Sequence, residues 1–207
     1  MPSVKLLVLV GGPYHDGPGA RDELLAAIAA HCDASVTITD DRSVFASLRP
    51  GDYDCVLVYT TSVPIEPAEE SGLLDFVTAG GGFVGLHGAT TSFKTSTRYY
   101  ELIGSQFVKH PPFTEFAVAI ADRSHPITRD VPNFNVPDEF YILEMGTTPV
   151  HVLATSQLDD QTQPTAYTTE FGQGRVYYLA LGHDARCLRL DPVRRLLGQG
   201  ITWAARK

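Results

Sequence analysis

Cysteine is scarce in this 207-residue sequence: Cys32, Cys55 and Cys187 are an odd number with no CxxC spacing. Neither a disulfide framework nor a thiolate zinc knuckle can organise such a chain. Basic charge is also short, with 16 Lys and Arg against 24 Asp and Glu and a formal net charge of −8. No Lys/Arg cluster supplies the positive face that phosphate-backbone binding requires, so no nucleic-acid partner is expected. Long apolar runs are absent too, the stretches at 4–10 and 55–59 falling far short of the roughly 20 residues that cross a bilayer. The N-terminal residues lack the basic, apolar and small-residue order of a signal peptide. A cytoplasmic chain without membrane contact is the expectation.

What the sequence does have is core. Hydrophobic residues make up 43% and aromatics 10%, enough to exclude disorder. No repeat, low-complexity segment or compositional break divides the 207 residues, which predicts a single domain over 1–207. The run at 4–10 is apolar and branched with Lys5 inside, as in a strand buried on both faces of a parallel sheet. A helix follows from about Ala20, with Leu24, Leu25 and Ile28 on one face. Strands at 35–39 and 55–59 come next. Pro67, Glu69 and Glu70 open a helix with an apolar stripe at Leu73, Leu74 and Val77. Gly80-Gly81-Gly82 ends it, and a strand at 83–86 leads straight into His87. Strands alternating with helices in this way predict a mainly parallel sheet covered on both faces.

The second half changes character. Shorter added strands are expected at 116–120, 141–144 and 150–155, and Gly172-Gln173-Gly174 joins runs at 164–171 and 175–181 as an antiparallel hairpin. Asp191 reads as a cap before Pro192, opening a closing helix along Val193, Leu196, Leu197, Ile201 and Ala204.

In an open parallel sheet ligands bind beyond the carboxyl ends of the strands. Three histidines occupy such positions: His15 after the first strand, His87 after the fourth, and His183 after the run that ends at Leu181. Gly85-Leu86-His87-Gly88-Ala89 has the layout of a nucleophile elbow, with an imidazole where a nucleophile would stand. Histidine there serves as a base or a metal ligand. His125-Pro126 reads as a turn whose histidine satisfies backbone groups.

Several motifs occur in order along nearly the whole chain. They are Gly81-Gly82-Phe83-Val84-Gly85-Leu86-His87, Leu102-Ile103-Gly104-Ser105-Gln106-Phe107, His110-Pro111, Asp122 with His125-Pro126-Ile127-Thr128, Asp138-Glu139-Phe140-Tyr141, Gly174-Arg175-Val176-Tyr177-Tyr178, Ala180-Leu181-Gly182-His183-Asp184 and Gly200-Ile201-Thr202-Trp203-Ala204-Ala205. Together they resemble the ThuA family of trehalose-utilisation proteins. The resemblance implies a class I glutamine amidotransferase-like, flavodoxin-like fold: a three-layer α/β arrangement with a mainly parallel sheet, helices on both faces and antiparallel additions. It also implies a bacterial setting in the breakdown of trehalose, related disaccharides or their keto forms. Amidotransferases carry cysteine at the elbow and a His-Glu pair after a late strand. Here those places hold His87 and His183-Asp184, so thiolate glutaminase chemistry is excluded.

Three readings of the pocket follow. In the first, His15, His87 and His183 bind a divalent metal such as zinc, manganese, iron or nickel, which polarises a sugar carbonyl or activates water. In the second, His87 or His183 is a general base with Glu139 or Asp184 as its partner. In the third, the scaffold is a non-catalytic sugar-binding or regulatory domain. Tyr14, His110, Asp138 and Tyr141 are candidate contacts to the sugar or keto-sugar, and a symmetric homodimer fits domains of this kind.

Overall fold

Strands that are apolar on both faces need cover from two sides, and the chain supplies it. In the computed structural model, which describes residues 3–14 and 18–207, the first half runs β1 (Val4–Gly11), α1 (Pro18–His31), β2 (Ala34–Thr39), β3 (Cys55–Thr60), α2 (Pro67–Thr78), β4 (Gly82–Leu86) and α3 (Thr97–Ile103). The second half continues with β5 (Ser105–Lys109), β6 (Thr114–Ile120), β7 (Phe134–Asp138), β8 (Ile142–Met145), β9 (His151–Leu158), β10 (Gln161–Phe171), β11 (Gly174–Leu179), α4 (Ala185–Leu188) and α5 (Asp191–Ala204).

Nine strands form one sheet in the order β2-β1-β3-β4-β11-β10-β9-β6-β7. From β2 to β11 every neighbouring pair is parallel; from β11 to β7 every pair is antiparallel. The fold is thus α/β, a parallel core with antiparallel additions. Successive side chains of a strand point to opposite faces. Leu6, Val8 and Val10 accordingly pack with Leu24 and Ile28 of α1 and Leu196, Leu197 and Ile201 of α5. Leu7 and Leu9 pack on the other side with Leu73, Leu74 and Phe76 of α2 and Tyr99 and Leu102 of α3.

Two expectations need correction. Asp191 is the first residue inside α5 rather than its cap, which is Leu190; the Asp191 carboxylate instead meets His31 and Arg195. The run expected at 141–144 forms β8, which leaves the main sheet and pairs with β5 in a separate two-stranded sheet. Four elements carry weak patterns and were not expected: α3, β5, β7 and α4. β7 contains Pro137, which confines it to the sheet edge. α3 is only seven residues long, though Ser96, whose hydroxyl accepts from Tyr99 N, and Gly104, at φ 83°, mark its two ends.

Candidate functional site

β4 and β11 are neighbours in register, with Leu86 opposite Leu179, so the turns leaving them open onto the same edge of the sheet. His87 leaves β4 with φ 43°, a left-handed conformation that non-glycine residues rarely adopt. Close packing on both sides fixes this elbow. A Cβ at Gly88 would lie 2.6 Å from Thr61 Cγ2 and 2.7 Å from the Thr60 carbonyl, and one at Gly85 would press on Ile103 and Tyr178. Tyr178 Oη also donates to the His87 carbonyl at 2.9 Å. The imidazole is fully buried. Its Nδ1 lies 2.7 Å from the Ala180 carbonyl, which can only accept, so Nδ1 carries the proton and Nε2 turns to the centre of the site.

At that centre is Glu139, directly after β7. His87 Nε2 is 3.3 Å and His183 Nδ1 3.1 Å from its Oε2, while His110 Nε2 is 3.4 Å from Oε1. Burial alone would raise this carboxyl, but hydrogen bonds and charge from His183 and His87 hold it well below the usual carboxylate range. At His183 burial lowers the imidazole and Glu139 more than reverses it, so its pKa is raised. One ligand atom each from His87, Glu139 and His183 lie within 4.8 Å of one another, a set able to hold a metal ion. Tyr141 stacks on His87 with ring centres 4.2 Å apart, and Phe113 packs against His183 at 5.6 Å.

The structure divides the residues singled out from the sequence. His87, His183, Glu139, His110 and Tyr141 converge, and Tyr14, His110, Glu139, Tyr141 and His183 line a cleft of about 280 Å³ together with Thr61, Ser62, Thr91, Lys94 and Phe107. His15 lies outside the described residues. Asp138 is not a ligand contact: it is fully buried, accepting from the Gly182 and His183 amides at 2.7 and 3.1 Å and from the Glu139 amide at 2.8 Å. It ties the β7 turn to the β11 turn and so sets Glu139 against His183. Asp184 makes its hydrogen bonds elsewhere: it caps α4 and binds the Arg186 amide and guanidinium. Arg186 covers the Phe113 ring at 4.0 Å, and the Asp184 charge also helps to raise the neighbouring His183, after Glu139 and Asp138. Thr61 and Lys94 had no distinguishing sequence signal beyond nearness to strand ends.

The same architecture occurs in solved structures. A ThuA-like protein from Parabacteroides merdae superposes with a TM-score of 0.84 at 18% identity, over 99% of this chain and 90% of that one. A Salmonella typhimurium protein described as cytoplasmic gives 0.70 at 13% identity, over 96% and 99%. A β-galactosidase from Rahnella sp. R3 gives 0.67 at 16% identity over 94% of this chain, but the match covers only 31% of the larger enzyme. At these identities the likeness establishes the fold. No curated protein matches the sequence. The ThuA family model, described as trehalose utilisation, matches residues 5–204, and the chain therefore belongs to the ThuA family.

Proposed function

We propose that the chain is a metal-dependent enzyme of carbohydrate breakdown, with His87, Glu139 and His183 holding one divalent cation and a sugar or keto-sugar lying in the cleft beside it. The observation that carries this reading is the orientation of His87. Its Nδ1 donates to the Ala180 carbonyl, and that bond fixes Nε2 3.3 Å from a Glu139 carboxylate oxygen. A divalent cation taking the place of a proton shared across that gap would be coordinated by both atoms, with His183 as the third ligand. Two histidines and a carboxylate form a donor set used by zinc and by non-haem iron, with positions left for water and ligand. A cation there would polarise a sugar carbonyl or acidify a bound water. His110 is partly exposed, and its Nδ1 donates to the Pro111 carbonyl. This leaves Nε2 to take up a proton from the ligand and pass it to solvent. Tyr141, stacked on His87, keeps that imidazole from rotating and keeps water from its face.

A metal-free acid-base reading uses the same groups, and the raised His183 beside Glu139 is the observation in its favour. Elemental analysis of protein purified without a histidine tag separates the two. Near-stoichiometric metal in the wild type, lost in His87→Ala and in His183→Ala, is the expected result. A wild type that stays metal-free after incubation with zinc, manganese, iron or nickel would sink the cation and leave acid-base chemistry. No helix among the described residues is long and apolar enough to cross a membrane, and the cytoplasmic description of the Salmonella relative supports a cytoplasmic setting for this chain as well.

A further inference from the structure

The cluster around Glu139 leaves other cleft-lining groups without a task. Thr61 follows β3 and is 3% exposed, yet its Oγ1 has no hydrogen-bond partner among the described residues. A buried hydroxyl in that state is a penalty in the ligand-free protein. The residue is nevertheless held firmly. Its amide donates to the Gly11 carbonyl at 3.0 Å, and Gly12 and Gly88 approach it too closely to tolerate a Cβ. Lys94 lines the same cleft. Its Nζ donates to the Phe107 carbonyl at 3.0 Å and enters no ion pair among the described residues, so two of its three donors are left for other partners. Among the described residues Glu139 is the one carboxylate of the lining, and both of its oxygens face imidazoles. The remaining described lining is therefore rich in donors and offers no further carboxylate to accept from sugar hydroxyls.

We propose that Thr61 and Lys94 form a subsite for an anionic oxygen group on the ligand, a carboxylate or a phosphate, with the ammonium meeting its charge and the Thr61 hydroxyl donating to a ligand oxygen. The inference rests on the cleft being the ligand site, as proposed above, and is independent of the cation. A charged, donor-rich wall selects an acidic sugar over its neutral counterpart because burying an ammonium against a neutral hydroxyl wastes its desolvation.

Calorimetry on chelator-treated protein tests it, with D-gluconate and D-glucose 6-phosphate as acidic probes and D-glucose and trehalose as neutral ones. At least one acid is expected to bind about tenfold more tightly than glucose, and Lys94→Met is expected to erase that difference. Which acid binds tells carboxylate from phosphate. Thr61→Val should weaken the acid several-fold while leaving the thermal midpoint unchanged or higher, since the hydroxyl it removes has no internal partner. Neutral sugars binding as tightly as the acids, acid binding unaltered by Lys94→Met, no binding of either acid at millimolar concentration, or a midpoint lowered by Thr61→Val would each overturn the subsite. Metal content of the wild type, measured separately, reports on the cation alone. A wild type that takes up no metal on incubation with zinc, manganese, iron or nickel and still prefers the acid would sink the cation and keep this inference. Acid binding that returns only with added metal and survives Lys94→Met would place the anion on the cation instead.

Discussion

Among the described residues two groups of histidines occur, and they differ in what stands between them. Around Glu139 three imidazoles converge on one carboxylate that is largely shielded from solvent. Around Asp122 two more gather: His151 Nε2 lies 3.1 Å from Oδ2, and His125 meets His151 edge to face at 5.7 Å. The hollow beside this second group is the larger, about 580 Å³ against about 280 Å³. Its polar groups are nonetheless engaged in local backbone work. His125 Nδ1 accepts from the Ile127 amide, and Asp122 Oδ1 accepts from Ser124 N and Oγ. His151 is more than half exposed. Hollow size and histidine number therefore do not identify the site; a shielded carboxylate with several imidazole nitrogens aimed at it does.

The largest expected effect tests that distinction directly. Glu139→Gln removes the charge but keeps the shape, and metal affinity, measured by competition with a chromophoric chelator, should fall by more than about 100-fold, beyond the range seen for outer-shell changes. His151→Ala should leave metal affinity unchanged. Loss of metal in the His151 variant would break the contrast between the groups.

A smaller effect separates the two aspartates. Asp138 accepts three backbone amides, whereas an asparagine in its place has one acceptor oxygen and an NH2 that would face a donor. Asp138→Asn should cost about 1–3 kcal/mol of stability. It should also weaken metal binding about tenfold, because the Gly182-His183 turn loses its anchor. Asp122→Asn, at an exposed turn, should leave metal binding as it was. Normal metal affinity in Asp138→Asn would reduce that residue to a purely structural tie.

How much of this was legible in the sequence follows from the same physics. β1, β3 and β4 are continuous apolar runs that only a doubly covered sheet accommodates, and the rule that ligands gather at strand carboxyl ends led to His87 and His183. The antiparallel half gives weaker signals. β7 is five residues with an internal proline, and β5 has no clear alternation of buried and exposed positions. From sequence alone Glu139 is paired with a histidine and Asp138 is set against the sugar; a strand end sends neighbouring side chains to opposite sides, and the fold turns Glu139 into the cleft and Asp138 onto backbone amides. The role of Asp184 depended on a four-residue helix, α4, too short to leave a periodic pattern. Thr61 is at the end of β3 just as His87 is at the end of β4, but a threonine there says nothing until its hydroxyl is found buried without a partner.

The smallest effect is one of sign. In metal-free protein Glu139 is held below its ordinary value of 4.5 and His183 above its ordinary 6.5. A lowered carboxyl contributes stability that is complete above 4.5 and lost on acidification; a raised imidazole contributes stability that is complete below 6.5 and lost as pH rises through its folded pKa. Their pairing therefore stabilises most between those two values, and the thermal-midpoint gap between wild type and Glu139→Gln should be widest there. His125 behaves in the opposite way. Burial, with His151 adding to it, lowers its pKa, so the folded state resists protonation and loses stability as pH falls below 6.5. His125→Gln should gain on wild type in the same window in which Glu139→Gln loses most. Restoring the cation should reverse the trend at the first group, because coordination requires deprotonated imidazole and so strengthens as pH rises. Midpoints measured across pH with and without metal read all three slopes, and parallel slopes at the two groups would erase the electrostatic difference between them.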